Sequence, residues 1–369
     1  MTVPFLDLQA TYRELKVDID RAISDVLHGG VYIGGREVQR FEAEFAAFCE
    51  ARFAVGVGNG LDALSLTLRA LGVGPGDEVI VPSNTFIATW LAVSSTGAVP
   101  VAVEPSESTY NVAWEAVERG ISERTKAIIV VHLYGQPVDL GPIVQLAKAR
   151  DIHLVEDAAQ CVGARYKGAR IGSHSNAVCW SFYPGKNLGC FGDGGAVTTN
   201  DESIAREIRS LANYGSSEKY VHDQIGFNSR LDPLQAAVLR VKLNRLDDWN
   251  ARRASVARAL VNGLSESELL LPNVPTWCDP VWHLFVVRSG ARDQLREHLL
   301  SDGVSTLVHY PIPPHRQGAY AKGGFREIDR GLPVSERLAS SVLSLPIGPH
   351  ITEWQVARVI DSVLSFKGR

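Results

Sequence analysis

The chain has 369 residues with a formal net charge of −4 at pH 7, from 37 basic and 41 acidic side chains. Because the two signs are mixed and no run approaches the roughly 18 apolar residues of a membrane helix, neither nucleic acid nor a membrane is an expected partner, and no N-terminal export signal is recognised. Five widely spaced cysteines indicate neither a disulfide framework nor a zinc site, which favours a reducing cytoplasm and predicts no bound metal.

A chain of this length exceeds what one hydrophobic core usually supports. We expect a large domain over residues 1–247, including an N-terminal arm, and a small C-terminal domain over residues 248–369. Helical periodicity occupies residues 12–27 and 36–49. Strands and helices then alternate, with strands predicted at 53–57, 78–82, 99–103, 127–131, 153–156 and 177–182, and helices at 61–68, 87–96, 112–121, 143–150 and 202–211. This alternation predicts an α/β fold with a mostly parallel sheet covered on both faces.

A glycine turn, Gly58-Asn59-Gly60, separates the first strand from an apolar helix that begins at Leu61. Free backbone N–H groups at a helix N-terminus favour a phosphate, and glycine lets it approach. Leu61 stands where a dinucleotide fingerprint would have its third glycine, so that motif is excluded. The segment indicates an anion site or, alternatively, a plain tight turn.

Two further strands are followed by residues whose side chains could take part in binding or catalysis. Phe86 follows the strand at 78–82, and Asp157 follows the strand at 153–156. The carboxyl ends of parallel strands share one sheet edge, so Phe86 can stack on a flat ring while Asp157 holds a pyridinium nitrogen protonated. The alternatives are a core phenylalanine and a helix N-cap.

One lysine, Lys186, follows a strand and a Pro-Gly bend and precedes several glycines. An amine in that position suits covalent chemistry, although an ordinary solvated lysine is the alternative. Together, Lys186 and Asp157 are the two groups that pyridoxal phosphate (PLP) requires: an amine for the Schiff base and an acid for the ring nitrogen. Ser181 offers a hydroxyl for a phosphate, or it satisfies a loop backbone group.

The C-terminal part predicts a small α+β unit. Its expected elements are strands at 281–287 and 304–309 and helices at 292–300 and 353–364. Tyr310 precedes a proline, which fixes an extended turn beside the titratable His309. A structural histidine is the alternative.

The assembled residues resemble the fold-type-I (aspartate aminotransferase-like), PLP-dependent sugar aminotransferases of the DegT/StrS type. The resemblance covers residues 3–347. It is carried by GNGLDAL (58–64), VEDAAQ (155–160), SFYPGKNLGCFGDGG (181–195) and GFNSRLD (226–232).

The resemblance implies a role for each matching residue. Lys186 would form the Schiff base and shuttle protons, with pyridoxamine phosphate as the form of the cofactor between half-reactions. The resemblance assigns the remaining cofactor contacts as follows: Asp157 to the ring nitrogen, Gln160 to the ring hydroxyl, Phe86 to the ring face, Ser181 with Asn59, Gly60 and Leu61 to the phosphate, and Asn228 to the same phosphate from the second subunit of a homodimer.

The stretch around Lys186 is similar to the subgroup that aminates C3 of dTDP-linked 3-keto-6-deoxyhexoses with L-glutamate as donor. This similarity further implies a sugar-nucleotide pocket lined by Tyr183, Lys219, His309 and Tyr310. A solvated surface lysine is the alternative for Lys219. The alternatives for the whole protein are amination at C4 of a 4-keto sugar and a PLP-binding regulator without turnover.

Overall fold

Helices and strands alternate through most of the chain in the computed structural model, which describes residues 2–367. The helices are α1 (Leu8–Gly29), α2 (Arg36–Phe48), α3 (Gly60–Ala70), α4 (Ala88–Thr96), α5 (Trp114–Gly120), α6 (Leu140–Ala149), α7 (Glu202–Ala212), α8 (Pro233–Leu243), α9 (Leu246–Gly263), α10 (Arg292–Ser301), α11 (Pro333–Ser341) and α12 (Glu353–Ser365). The strands are β1 (Phe53–Val57), β2 (Glu78–Pro82), β3 (Val99–Val103), β4 (Thr125–Val131), β5 (His153–Asp157), β6 (Arg165–Tyr166), β7 (Ala169–Arg170), β8 (Ala177–Ser181), β9 (Gly195–Thr199), β10 (Ser216–Glu218), β11 (Val221–His222), β12 (Cys278–Asp279), β13 (Phe285–Arg288), β14 (Arg326–Glu327) and β15 (Val342–Leu345).

The central sheet has the strand order β1-β9-β8-β5-β4-β2-β3-β14. Strands from β14 to β8 pair in parallel, whereas β9 runs antiparallel to both β8 and β1. Buried apolar clusters cover both faces, as the predicted α/β fold requires. Because β2, β5 and β8 are parallel, the residues after their carboxyl ends meet at one edge of the sheet.

Aromatic packing supports the strand that leads to Lys186. The fully buried ring of Phe45 on α2 meets Trp180 and Phe182 edge to face, with ring centroids 5.5 and 5.3 Å apart, and stacks on Phe41 at 5.4 Å. Such contacts join burial to a preferred ring geometry. Helix α2 therefore packs against the end of β8 and supports its position.

The C-terminal segment has a separate apolar cluster built on the antiparallel pair β13–β15. Residues of α9, α10 and α12 cover this pair, including Leu260, Leu299 and Val359. The predicted boundary at residue 247 lies in the first turn of α9. The division into domains at that point remains our proposal.

Of the two strands predicted in the C-terminal part, one begins later than predicted and the other does not form. Strand β13 begins only at Phe285, because Trp282 has a left-handed φ of 50° and the preceding backbone bonds to the turn around Gly135. Residues 304–309 form no strand: Val304 bridges to Val3, and Leu307 bridges to Ser344. A ladder cannot form when successive residues pair with different partners.

No helix within residues 2–367 combines the length and the apolar character needed to cross a bilayer.

Candidate active site

Lys186 and Asp157 lie close enough for the charge of each to influence the other. Burial lowers the pKa of Lys186 to about 8, and the negative charge of Asp157 opposes that shift. Burial also raises the pKa of Asp157, while Lys186 acts in the opposite direction. The end of β5 and the bend after β8 therefore bring the predicted amine and acid together, as the sheet topology requires.

The carboxylate of Asp157 is 7% exposed and accepts two hydrogen bonds. Thr89 Oγ1 donates to one oxygen over 2.9 Å, and the backbone N–H of Ala159 donates to the other over 3.2 Å. These bonds hold the carboxylate in one orientation. Among residues 2–367 no lysine or arginine lies within ion-pair distance of it, although the charge of Lys186 acts on it.

Gln160 connects the sheet edge to the C-terminal segment. Its Oε1 accepts the backbone N–H of Tyr134 over 2.6 Å, and its Nε2 donates to the hydroxyl of Tyr310 over 3.0 Å. The ring of Phe86 lies 5.5 Å from that of Tyr310. Gln160, Tyr310 and Phe86 are thus neighbours at this edge of the sheet.

His309 is a neutral neighbour of Lys186. Its Nδ1 shares a hydrogen bond of 2.8 Å with the hydroxyl of Ser344. Burial and then the charge of Lys186 lower the pKa of His309 to about 4. The imidazole is therefore uncharged near neutral pH and serves as a polar contact.

The start of α3 forms a cradle beside Ser181. Asn59 caps the helix, since its Oδ1 accepts the N–H of Asp62 over 2.9 Å. A Cβ at Gly60 would lie 2.8 Å from the Cβ of Ser181, so only glycine fits there. Within the described chain the N–H groups of Gly60 and Leu61 have no protein acceptor. Unpaired N–H groups beside a serine hydroxyl suit a phosphate.

Three predicted site residues lie at the surface instead. Tyr183 is 60% exposed after β8. Lys219 is on the β10–β11 hairpin, where its amine lies 5.1 Å from the ring centroid of Tyr220. Asn228 is exposed and pairs through its backbone with Asn213. Within residues 2–367 neither Lys219 nor Asn228 forms a hydrogen bond with Lys186, whereas the carbonyl of Tyr183 accepts the backbone N–H of Lys186 over 2.8 Å.

Sequence reasoning missed Thr89, Tyr134 and His283. Thr89 follows Phe86 by three residues at the start of α4, a spacing that would have suggested a shared face. Tyr134 acts through its backbone N–H, which donates to Gln160, and through its hydroxyl, which donates to the carbonyl of His309, and neither contact follows from a local sequence pattern. His283 lies in the segment that was predicted as a strand, and its charge coupling to Lys186 depends on the fold.

These residues fit PLP. The buried carboxylate of Asp157 suits a cationic ring nitrogen, and the cradle at Gly60 suits a phosphate. An amine with a depressed pKa stands near that carboxylate. In the part of the chain that the structure describes, no three His, Cys, Asp or Glu side chains converge.

Comparison with known proteins shows a match over residues 13–364 to the model of the DegT/DnrJ/EryC1/StrS aminotransferase family. A dTDP-3-amino-3,4,6-trideoxy-alpha-D-glucose transaminase from Streptomyces venezuelae is 54% identical over 368 residues, which is 100% of this chain and 97% of that protein.

Two solved structures share the fold. The crystal structure of S. venezuelae DesV in complex with a ketimine intermediate has a TM-score of 0.96 at 54% identity and covers 98% of this chain and 97% of that one. Bacillus subtilis NtdA with bound cofactor PMP has a TM-score of 0.90 at 31% identity, covering 98% and 84%. Both similarities cover 98% of this chain.

Proposed function

This chain belongs to the DegT/DnrJ/EryC1/StrS aminotransferase family, and we propose that it transfers an amino group from L-glutamate to C3 of a dTDP-linked 3-keto-6-deoxyhexose. Aminotransferases of this family are PLP-dependent. The observation that carries the proposal is the proximity of Lys186 to the buried Asp157. The name of the S. venezuelae relative supports the sugar class and the position of the nitrogen.

We assign Lys186 as the point of covalent attachment of PLP and Asp157 as the partner of its ring nitrogen. Phe86 and Gln160 would hold the ring, while the cradle of Asn59, Gly60, Leu61 and Ser181 would hold the phosphate. When bound there, PLP supplies an electron sink for the carbon that carries the nitrogen.

The proton transfers fall to Lys186. Its pKa of about 8 leaves a useful fraction of the amine uncharged near neutral pH, so Nζ can take a proton from the Cα of glutamate. The same atom returns a proton to C3 of the sugar in the second half-reaction. Burial raises the pKa of Asp157, and the hydrogen bonds from Thr89 and Ala159 oppose that rise and so favour the carboxylate.

The sugar nucleotide would bind among Tyr183, His309, Tyr310 and Lys219. His309 and Tyr310 stand near the reactive amine, and the neutral imidazole offers a hydrogen bond without repelling the ammonium of Lys186. Lys219 carries the positive charge that a diphosphate requires. Its amine reaches an active site only if the β10–β11 hairpin packs against that site.

A homodimer with shared active sites is the assembly we propose. Asn228 would supply a phosphate contact from the second subunit, since its side chain makes no hydrogen bond within residues 2–367. The proposed compartment is the cytoplasm, where the five buried, unpaired cysteines would stay reduced.

The test is to incubate the protein with PLP, L-glutamate and either a 3-keto or a 4-keto dTDP-6-deoxyhexose, and to locate the new nitrogen by NMR. We expect nitrogen at C3, stoichiometric 2-oxoglutarate, and no product with Lys186→Ala. Nitrogen at C4 would support the alternative regiochemistry. A protein that binds PLP but forms no 2-oxoglutarate with any keto sugar would support a regulator.

A further inference from the structure

A cavity of about 500 Å³ lies between the N-terminal arm, the segment that follows Lys186 and residues 347–351. Lys186 is part of its wall, but none of the other residues that we propose for PLP or the sugar nucleotide lines it. Most of the wall is apolar, with Leu6, Phe191 and Trp249 among its side chains. A cavity of this size with apolar walls suits a small organic molecule.

Lys242 on α8 contributes a buried cation to this cavity. The residue is 4% exposed, and its Nζ donates to the carbonyl of Gly189 over 2.5 Å and lies 4.1 Å from the ring centroid of Phe191. An ammonium has three N–H donors, and among residues 2–367 no carboxylate forms an ion pair with this one. Burial lowers the pKa of Lys242 to about 8, so most of the amine is still charged at pH 7.

Arg253 on α9 contributes a second buried cation. It is also 4% exposed, and its Nη1 donates to the carbonyls of Trp282 and His283 over 3.1 and 3.4 Å. Within the described chain Nε and Nη2 have no acceptor, and no carboxylate pairs with the guanidinium. Backbone carbonyls carry no net charge, so the positive charge of Arg253 is buried without a counter-charge.

The two acidic residues in the cavity wall are engaged elsewhere. Asp7 caps the start of α1 and pairs with Arg13 over 2.5 Å, and Asp20 pairs with Lys16. The side chains of Asp7 and Asp20 are 41% and 46% exposed, so water and salt screen their charges. The buried part of the cavity therefore has a net positive charge.

We propose that this cavity binds a small organic carboxylate, with Lys242 and Arg253 as its cationic partners and the apolar wall in contact with the rest of the molecule. The two cations supply the charge and the N–H donors that a carboxylate accepts. An apolar wall offers few hydrogen bonds to the hydroxyls of a sugar phosphate, which favours an acid with an apolar body. The proposal does not depend on the proposed transamination.

Calorimetric titration of the PLP-loaded protein tests the chemical class of the ligand. The probes are benzoate, the uncharged benzyl alcohol and inorganic phosphate. We expect saturable binding of benzoate, and binding of the other two that is at least about tenfold weaker. A fourth probe, 2-oxoglutarate, distinguishes a keto acid from a more apolar acid as the preferred ligand. If neither acid binds, or if the alcohol or phosphate binds as tightly as the better acid, the proposal is wrong.

A substitution at Lys242 shows whether the acid binds in this cavity. Lys242→Met keeps the length of the side chain and removes its charge, so the affinity for the preferred acid should fall at least about tenfold. Lys126→Met, at an exposed lysine on β4, is the matched control and should leave the affinity unchanged. Equal affinities in wild type and Lys242→Met would place the acid elsewhere and overturn the proposal.

A crystal of the wild-type holoenzyme soaked with 4-bromobenzoate gives a second test, which needs no substitution. We expect the anomalous signal of bromine inside the cavity and the carboxylate within about 3.2 Å of a nitrogen of Lys242 or Arg253. A cavity without this signal would contradict us. These readouts measure binding and not turnover, so this proposal can fail while the amination test succeeds, and the reverse.

Discussion

At Lys186, two opposing effects set the state of one amine. Burial disfavours the ammonium form and the carboxylate of Asp157 favours it, with burial the larger effect. A group poised this way can both take and return a proton near neutral pH.

Replacing Asp157 should therefore change the titration of Lys186 in a defined direction. Asp157→Asn removes the negative charge that stabilises the ammonium, so the midpoint of Lys186 in cofactor-free protein should fall below about 8. The fraction of uncharged amine at pH 7 should then rise. The pH dependence of Lys186 acylation, read by mass spectrometry, measures this. A midpoint that stays or rises would show that the two groups are not coupled.

The same substitution should nevertheless reduce turnover, because an amide cannot hold the ring nitrogen protonated. We expect a loss of about 100-fold with retained PLP binding, the size seen when one electrostatic partner is removed. Steady-state release of 2-oxoglutarate, together with the visible spectrum of the bound cofactor, measures both quantities. An unchanged rate would remove Asp157 from the role assigned to it.

Lys186→Ala should abolish turnover, with a loss of at least about 100-fold, and should prevent borohydride from fixing PLP to the protein. The peptide that carries the label in the wild type should contain residue 186. Lys126→Ala is the matched control, since Lys126 is an exposed lysine on β4. Equal labelling of wild type and Lys186→Ala would place the attachment elsewhere.

At the scale of elements, the aromatic contacts between α2 and β8 couple stability to the site. Phe45→Ala empties a fully buried position against Phe41, Trp180 and Phe182. The expected loss is about 3–5 kcal/mol in the free energy of unfolding. Val17→Ala, at a position that is 70% exposed, should change it by less than about 0.5 kcal/mol. Urea unfolding followed by tryptophan fluorescence compares them, and similar midpoints would contradict the packing argument.

The strands also show how much of the fold the sequence alone predicts. Strands β1, β2 and β3 have the predicted bounds, because a buried strand is a short apolar run between turns. Residues 304–309 have a similar composition but pair with two distant segments, which no local pattern encodes. Likewise, the side chain of Asn187 forms hydrogen bonds with Asn250 and His283, which lie far from it in the chain.

At the scale of the whole molecule, exposed apolar side chains suggest that another molecule covers part of the surface. Large apolar side chains are exposed on two segments, with Tyr32 at 52%, Ile33 at 58%, Tyr220 at 83% and Ile225 at 91%. Monomers rarely leave many such groups in water. In the homodimer that we propose, a second copy of the chain would cover these side chains.

A shared site predicts complementation between two inactive variants. Asn228→Asp places a negative charge against the proposed phosphate, and Lys186→Ala removes the amine. If Asn228 acts across the dimer, a mixed dimer has one site with both defects and one site with none. After unfolding and refolding an equal mixture, about half of the dimers are mixed, so activity should recover to about one quarter of the wild type. A mixture no more active than its parents would show that Asn228 acts within its own subunit or has no role, and sedimentation of each sample confirms that dimers formed.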